Sequence, residues 1–276
     1  MVFRKICVTI LAFITAHCSF AQTDNNTENE RPFRFNKKWE IPVTAALVAY
    51  PVYGMSKVYG RDDVPEAEVM ALKITDINKF DRPIADNYDP DAAKVSDMFF
   101  YGSMPLPLVL LFDKRIRKDA GQIGLMYLET VGAFGSVYVT SAMAANRFRP
   151  YAYNPSVDIT KRTRGGARNS FFAGHPGFVA SSTFFMAQVY TAYHPQMKLK
   201  WAPYAFAGAA TVATGLLRLK AGQHFRSDVI VGTTIGTLSG ILIPHFHKNK
   251  NYDKQRVSIF PSFGEGSNGL TCTLKL

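Results

Sequence analysis

Cysteine is nearly absent from this chain of 276 residues, which contains only Cys7, Cys18 and Cys272. The first two lie in an N-terminal segment that we expect to be removed, so a single cysteine would remain. One cysteine cannot form an internal disulfide, even in an oxidising compartment, and it excludes a zinc site built from cysteine ligands. The chain also has no low-complexity tract and no repeat of fixed period.

Acidic residues are outnumbered, with 21 Asp and Glu against 32 Lys and Arg and a formal net charge of +11. Such a charge suits an anionic partner, which could be a nucleic acid, an acidic membrane surface or a phosphate group. Because the chain is predicted to be exported, nucleic acid is the least favoured of the three. We therefore expect a phosphorylated substrate and a membrane surface as partners, and no nucleic acid.

The N-terminal segment 1–21 is predicted to be a cleaved signal peptide. A basic stretch, MVFRK, precedes the apolar run ICVTILAFITA, and Ser19 and Ala21 occupy the small-residue positions of a cleavage site. An uncleaved anchor is the alternative, but it makes no use of the two small residues. Residues 22–40 are polar and read as a flexible lead-in. The expected location is the periplasm or the envelope membrane.

Long uninterrupted apolar runs are also scarce. The apolar segments are 41–58, 98–112, 122–145, 172–193, 201–217 and 229–244. Their Ala, Gly, Leu and Met content favours helices over strands, and four are shorter than the ~20 residues that a spanning helix needs. A long acidic connector, 59–97, separates the first two segments. The sequence predicts an all-α domain over 41–248, a bundle of six helices.

The C-terminal tail, 249–276, has a different pattern. RVSIFPSF and LTCTLKL flank the turn-forming stretch GEGSNG, and the second run alternates apolar and polar residues. A period of two around a Gly-rich turn is typical of two paired strands. The tail is therefore predicted to form a short β-hairpin.

Unusual polar residues gather at alternate helix junctions. They occur in NRFRPY (146–151), NSFFAGH (169–175) and RLKAGQHFRSD (218–228). In an up-and-down bundle of six helices these junctions share one end. The opposite end is expected to carry only solvent-facing turns, with His245 and His247 as a solvated helix end and not as ligands. Glu129, in the middle of the third helix, receives no role.

The shared end has the residue types of a phosphate site. It contains Arg147, Arg149, His175, Arg218, His224 and Asp228. Two helices begin there, and their free N–H groups and positive dipole ends favour an anion. Guanidinium groups give forked hydrogen bonds that fit phosphate. We expect a bound phosphoryl group, with no metal and no cofactor.

Two histidines beside a phosphate indicate covalent catalysis. One imidazole attacks phosphorus, and the other protonates the leaving oxygen. The attacking histidine needs a carboxylate to hold its second nitrogen, and Asp228 follows His224 by four residues. No carboxylate follows His175 closely. The sequence therefore predicts His224 as the nucleophile, Asp228 as the residue that orients it and His175 as the general acid.

The spacing of these residues resembles the type 2 phosphatidic acid phosphatases, which are related to vanadium haloperoxidases and bacterial nonspecific acid phosphatases. The family pattern is Lys-x6-Arg-Pro, then Pro-Ser-Gly-His, then Ser-Arg-x5-His-x3-Asp. Arg149 and Pro150 match the end of the first motif, and Gly174 and His175 match the second. The third motif is matched by Arg218, His224 and Asp228 at the family intervals. The resemblance implies that Arg149, Arg218 and Gly174 bind phosphate, and Arg147 is added as a phosphate-binding residue because it lies in the same polar junction as Arg149.

Four family positions are changed. Ala142 stands where the first motif has Lys, Phe172 and Ala173 replace Pro and Ser of the second motif, and Leu217 replaces Ser of the third. Each lost charged hydrogen bond of roughly 1.5–3 kcal/mol would slow turnover by about one to two decades. The candidates for a replacement cation are Lys161, Arg162, Arg164 and Arg168.

The resemblance implies a metal-independent phosphatase that hydrolyses a lipid-linked phosphate monoester or diphosphate through a phosphohistidine. A soluble, broad-specificity periplasmic acid phosphatase is one alternative. A catalytically weakened envelope scaffold or anion-binding protein is another. Vanadate-dependent halide oxidation is disfavoured, because the first-motif Lys is missing.

Two signals disagree on topology. The basic turns 113–118, 197–200 and 248–256 all lie away from the predicted site, and the positive-inside rule then places the site on the periplasmic side. A cleaved signal followed by three full crossings would instead place the first polar junction in the cytoplasm. Either the first apolar segment lies flat on the membrane, or the bundle is a periplasmic globule. We expect an exported, membrane-associated protein.

Overall fold

The structure is a computed structural model, and it describes residues 31–249, 252, 257–264 and 267–274; the predicted signal segment lies outside them. Nine α-helices occur within these residues. They are α1 (Lys37–Tyr59), α2 (Glu66–Met70), α3 (Pro90–Ser103), α4 (Lys114–Arg117), α5 (Ala120–Ala144), α6 (Ile159–Arg162), α7 (Gly174–Tyr193), α8 (Trp201–Lys220) and α9 (Arg226–Phe246). The predicted all-α bundle is confirmed, with α1, α3, α5, α7, α8 and α9 as its six long helices.

Local capping explains where two helices depart from their predicted bounds. The side chain of Asn36 accepts a hydrogen bond from the amide of Lys38, so α1 begins inside the predicted lead-in. Asp89 caps the first turn of α3, and Pro90 occupies a position where no amide hydrogen is needed. The second predicted helix is divided, because α3 ends at Ser103 and a 3-10 turn covers Leu106–Phe112.

The first long helix belongs to the bundle. Gly132 of α5 lies against the backbone of Leu47, and Gly54 of α1 lies against the side chain of Val139. Since the contacts advance in the same order along both helices, α1 and α5 run in the same direction side by side. The first apolar segment is thus packed as a helix of the bundle, which disfavours the alternative in which it lies flat on the membrane.

Glycines bring α7 and α9 into backbone contact. A Cβ atom on Gly236 would lie 1.9 Å from the carbonyl oxygen of Gly177, and one on Gly232 would lie 2.3 Å from that of Ala173. Only glycine permits so close an approach. The amide of Ala173 also donates to the carbonyl of Asp228 over 3.0 Å. The first turns of the two helices are thereby held together, at the end of the bundle where the polar motifs meet.

Three segments of the bundle are long and apolar enough to cross a membrane: Pro90–Phe112, Ala120–Ala144 and Arg226–Phe246. Large side chains at the opposite end from the polar motifs are exposed, among them Trp39, Phe112, Trp201 and Phe246. Tryptophan is enriched where a membrane meets water. These features support association with a membrane.

The tail contains two antiparallel strands, β1 (Val257–Gly264) and β2 (Ser267–Leu274). Val257 pairs with Leu274, and Gly264 pairs with Ser267. Backbone contacts divide the chain into a unit that spans Phe35–Lys248 and a second unit that includes residues 31–34 and those from 249 onward. The polar junctions all belong to the first unit.

Candidate functional site

His224 lies in a tight loop between α8 and α9. Its Gly222 has a φ of 65°, and a Cβ atom there would lie 1.7 Å from the carbonyl oxygen of Asn87. The carbonyl of Gly222 accepts a hydrogen bond from the amide of Tyr151 over 3.0 Å. No other residue type fits this position. The close contact at Gly222 restricts the conformation of the loop. Within this loop, only 2% of the surface of His224 is exposed.

His224 is held as the tautomer that a nucleophile needs. Its Nδ1–H donates to the carbonyl oxygen of Ser170 over 2.6 Å. Burial, together with the positive charges of Arg149 and Arg218, keeps the pKa of His224 well below its ordinary value. The imidazole is consequently neutral, and its lone pair is on Nε2.

Asp228 contacts His224 through Ser170 and not directly. Its Oδ2 accepts hydrogen bonds from Ser170 Oγ over 2.6 Å and from the amide of Phe225 over 2.9 Å. In the described part of the chain no hydrogen bond joins the Asp228 and His224 side chains. The expected direct pair is thus replaced by a relay in which the carboxylate fixes Ser170, and Ser170 fixes the imidazole.

Arg147 supports the relay and does not point to a phosphate. Its guanidinium donates to Asp228 over 2.5 Å and to Asp81 over 2.7 Å, and it stacks on the ring of Phe225. Burial raises the pKa of Asp81, but hydrogen bonds from Ser227, Asn78 and Arg147 outweigh it and lower the value to about 2. Arg147 therefore neutralises two carboxylates, a role that differs from the predicted one.

Arg218 is the buried cation of the site. It is 5% exposed, and its Nη1 donates to Ser96 Oγ over 3.1 Å and to Asp97 Oδ1 over 3.0 Å. Burial and the charge of Arg149 lower its pKa to about 10, so it stays protonated at neutral pH. Its Nε is buried and has no hydrogen-bond partner among the described residues. A buried N–H of this kind needs an acceptor, and a phosphate oxygen supplies one.

His175 is paired with a carboxylate that the sequence analysis missed. Its Nε2 lies 3.0 Å from Asp97 Oδ1, and its ring stacks on Phe100 with the centroids 4.3 Å apart. Burial and the charge of Arg218 lower the pKa of His175 to about 4, although Asp97 opposes the shift. Asp97 comes from α3, outside all three motifs, so no local spacing could indicate it.

The positive charge of Arg149 acts on both His175 and His224. Its Nε donates to the carbonyl of Gly166 over 3.1 Å, and its Nη1 donates to Gln223. Its charge lowers the pKa of both His175 and His224. The predicted residues Arg149, His175, Arg218 and His224 are thus close enough to act on one another.

Gly174 opens α7 beside the site. A Cβ atom there would lie 2.8 Å from the ring of Tyr138, so packing alone requires glycine. The first turn of α7, which carries His175, therefore lies directly against α5.

A different arginine stands beside the position of the missing family Lys. Arg61 donates to the carbonyl of Ala142 over 2.5 Å and to Asn169 Oδ1 over 2.6 Å. The four cations that the sequence suggests as replacements make other contacts or are exposed. Lys161 contacts Tyr88, and Arg162 donates to the carbonyl of Ala152. Arg168 pairs with Glu68, and Arg164 is exposed. Arg61 therefore places a guanidinium at the end of α5, next to Ala142, where the family motif has Lys.

An apolar groove starts one helical turn from His175. It has a volume of about 430 Å³ and is lined by α3, α7 and α8, including Met98, Val179, Phe206 and Ala210. Val179 follows His175 by four residues, which places it on the same face of α7. The groove presents almost no polar surface of its own.

The opposite end of the bundle is not only solvated turns. His247 is 8% exposed, and its Nε2 lies 3.0 Å from Glu40 Oε2 and 3.3 Å from Glu129 Oε2. The expectation that His247 is a solvated helix end is therefore wrong. His245 is exposed, as predicted.

Comparison with known proteins found no match among curated proteins. Among solved structures, the chain is similar to the crystal structure of the first transmembrane PAP2 type phosphatidylglycerolphosphate phosphatase from Bacillus subtilis. The identity is 21%, the alignment covers 76% of this chain and 92% of that chain, and the TM-score is 0.44.

A family model matches residues 123–252 and is described as the PAP2 superfamily. This range begins in α5 and includes Arg149, His175, Arg218 and His224. Residues 123–252, which carry the whole histidine and arginine site, match the PAP2 superfamily.

Proposed function

We propose that the protein is a metal-independent phosphatase that hydrolyses a lipid-linked phosphate monoester or diphosphate through a phosphohistidine. The match of residues 123–252 to the PAP2 superfamily supports phosphatase chemistry. The observation that carries the site assignment is Arg218 Nε, a buried donor without an acceptor beside two neutral histidines. A phosphate oxygen would satisfy this donor, and Arg149 would bind a second oxygen.

In the first step, Nε2 of His224 attacks phosphorus as the ester oxygen departs. The hydrogen bond from Nδ1 to Ser170 holds the ring in place and accommodates the positive charge that develops on it. Asp228 holds Ser170 from the other side. The leaving oxygen takes a proton from the His175 imidazolium, so that an alcohol departs and phosphorus is bonded to His224.

In the second step, a water molecule hydrolyses the phosphohistidine. His175, now neutral, accepts a proton from the water, and the P–N bond breaks to release inorganic phosphate and free His224. His175 is neutral in the empty site, so it must gain its proton with the substrate. The negative charge of the bound phosphate and of Asp97 favours this uptake.

The apolar groove favours a lipid over a small phosphoester. An acyl or prenyl chain in the groove would bury apolar surface, worth roughly 25 cal/mol per Å², while its phosphate lies near His175. A small soluble ester would gain nothing from Met98, Val179 or Phe206. The exposed tryptophans at the other end of the bundle support the same conclusion, because they suit a membrane interface.

The proposed orientation places the site on the periplasmic side. The basic turns 113–118 and 197–200 lie at the end of the bundle away from His224, and a basic end faces the cytoplasm by the positive-inside rule. This is the end that carries Trp39 and Trp201. A phosphate carried on a lipid of the outer leaflet would then reach the site.

The test compares hydrolysis of p-nitrophenyl phosphate and of a short-chain phosphatidate by the purified full chain. We expect activity in EDTA, inhibition by vanadate and a loss of at least about 10³-fold in His224→Ala. His245→Ala is the matched control, since that histidine is exposed at the other end of the bundle, and it should retain full activity. Rapid quenching in alkali, in which the P–N bond of phosphohistidine survives, should trap a phosphorylated enzyme in wild type and none in His224→Ala.

Two other outcomes would overturn the proposal. Equal or better turnover of the soluble ester would identify a broad-specificity acid phosphatase, which needs no groove. A folded protein that hydrolyses neither substrate would identify an anion-binding or scaffold protein, in which the changes at Ala142 and Ala173 have removed catalysis.

A further inference from the structure

Three ligand-type side chains converge at the end of the bundle opposite the phosphate site. They come from the first turn of α1, the middle of α5 and the residue that follows α9: Glu40, Glu129 and His247. One nitrogen or oxygen atom from each lies within 4.8 Å of the other two. Glu129 and His247 are each 8% exposed. Three chemically reactive groups are thus held together in a largely dry place.

The imidazole of His247 is oriented as a ligand. Its Nδ1–H donates to the carbonyl of Ile243 over 2.7 Å, and its ring stacks on Phe35. In neutral imidazole this hydrogen bond leaves the lone pair on Nε2, and Nε2 is the atom that faces both carboxylates. Metal-binding histidines are typically fixed in this way, with the second nitrogen donating to a carbonyl.

Two carboxylate oxygens and a lone pair repel one another unless a positive charge lies between them. A single proton on Nε2 can make one good hydrogen bond, and the geometry gives that bond to Glu40 Oε2 at 3.0 Å. Glu129 Oε2 then stays buried and accepts no hydrogen bond from the residues that the structure describes, although Nε2 is 3.3 Å away. A proton therefore leaves this oxygen unsatisfied, which costs free energy in a buried site.

A metal ion would satisfy all three atoms at once. Tetrahedral ligands that are about 2.0–2.2 Å from zinc lie roughly 3.3 Å from one another. The separations of 3.0 and 3.3 Å between His247 Nε2 and the two carboxylate oxygens are close to this value. One imidazole and two carboxylates form a donor set that suits first-row divalent metals better than calcium.

We propose that Glu40, Glu129 and His247 bind a divalent transition-metal ion, with zinc as the favoured ion. The ion joins α1, α5 and the end of α9, so its role is structural. It lies away from the histidines of the phosphate site, and the proposal is independent of the phosphatase reaction.

A proton on Nε2 of His247 competes with a metal ion for this site. Burial lowers the pKa of His247, but Glu129, the carbonyl of Ile243 and Glu40 raise it to about 9.

The experiment uses the full chain in detergent, stripped with EDTA and dialysed. Titration with Zn²⁺ at pH 8, followed by metal analysis, should give one ion per chain and a higher unfolding temperature, whereas Ca²⁺ should give neither. His247→Gln and Glu129→Gln should each weaken Zn²⁺ binding at least about 10-fold. Co²⁺ in place of Zn²⁺ should give a visible absorption spectrum that both variants lose.

The matched control is His194→Gln. His194 Nε2 lies 3.0 Å from a carboxylate oxygen of Asp113, at the same end of the bundle, but a single carboxylate faces it. This variant should bind Zn²⁺ as wild type does. If Glu129→Gln fails to fold, Glu40→Gln tests the same site from a partly exposed position.

Absence of stoichiometric Zn²⁺ binding would overturn the proposal, as would binding that survives in both His247→Gln and Glu40→Gln. If wild type alone loses stability as the pH rises through 9, a protonated His247 fills the site in place of a metal. Phosphatase activity is measured in parallel, and its presence or absence does not bear on the metal result.

Discussion

At the scale of single residues, the site depends on groups whose charges are set by partners far away in the sequence. His175 and Arg218 share one oxygen of Asp97, and that carboxylate counters the two forces that lower the pKa of His175, burial and nearby cations. Asp97 is therefore a positioning residue that also favours the protonated form of His175, the proposed general acid.

The variant Asp97→Asn tests this role. Loss of the carboxylate should lower the pKa of His175 further, so the alkaline limb of the kcat profile should move to lower pH by about one unit or more. The KM should not rise, because Arg218 loses a group that competes with phosphate. The measurement is kcat and KM for p-nitrophenyl phosphate between pH 4 and 8.

Asp91→Asn is the control, since Asp91 is exposed on the same helix and pairs with Lys94. Its profile should match wild type. A decrease of kcat in Asp97→Asn by the same factor at every pH would assign Asp97 a purely structural role.

At the scale of helices, close packing determines what lies beside the histidines. The contacts of Gly232 and Gly236 with α7 hold the N-terminus of that helix against α9. On the other side, residues of α3, α7 and α8 line the apolar groove. The same bundle thus provides a tight polar end for the phosphate and an open apolar channel beside it.

The groove predicts a separation between lipid and soluble substrates. Ala210→Phe should fill part of the groove, and it should raise the KM for a short-chain phosphatidate about 10-fold or more while leaving p-nitrophenyl phosphate hydrolysis unchanged. Val212→Phe, two residues away and exposed, adds the same bulk outside the groove and should leave both substrates unaffected. Equal effects of Ala210→Phe on the two substrates would show that the chain binds elsewhere.

At the scale of the whole molecule, the direction of α1 restricts which side of a membrane each end of the bundle can face. Because α1 runs parallel to α5, its first residues lie at the same end as the turn between α7 and α8. A periplasmic site then requires Lys37 to start on the cytoplasmic side, whereas a cleaved signal would release it outside.

Cysteine labelling distinguishes the two arrangements. In a chain with Cys7, Cys18 and Cys272 changed to Ser, a cysteine at Ser156 marks the site end and one at Lys198 marks the other end. With a membrane-impermeant maleimide on intact spheroplasts, we expect Ser156→Cys to be labelled and Lys198→Cys to react only after permeabilisation. Labelling of both positions in intact spheroplasts would indicate a periplasmic globule that does not span the membrane.

Most helix bounds could be read from the sequence because each apolar segment is bordered by polar, Gly- or Pro-containing turns. The ends of α5, α7 and α8 fall within a few residues of prediction. The connector 59–97 was harder, because α3 starts inside it, after an Asp cap and a proline that also resemble loop signals.

The structure brings the predicted histidines and arginines together, but several of their contacts differ from those that the sequence predicts. His224 was expected to bond Asp228, yet its partner is the carbonyl of Ser170, 54 residues earlier. Main-chain carbonyls have no sequence signature. The polar junction 146–151 predicts a phosphate contact for Arg147, but two buried carboxylates bind its guanidinium, and one of them, Asp81, lies in the connector.

The sequence by itself determined the helices, the end of the bundle at which the histidines and arginines meet, and the chemistry that these residues support. Those features depend on apolar periodicity and on spacing within short stretches. Only the tertiary structure decided which carboxylate serves which cation, since Asp97 with Arg218 and Glu40 with His247 are each more than 100 residues apart. Such pairs form because burial makes an unpaired charge costly, and burial is a property of the assembled bundle.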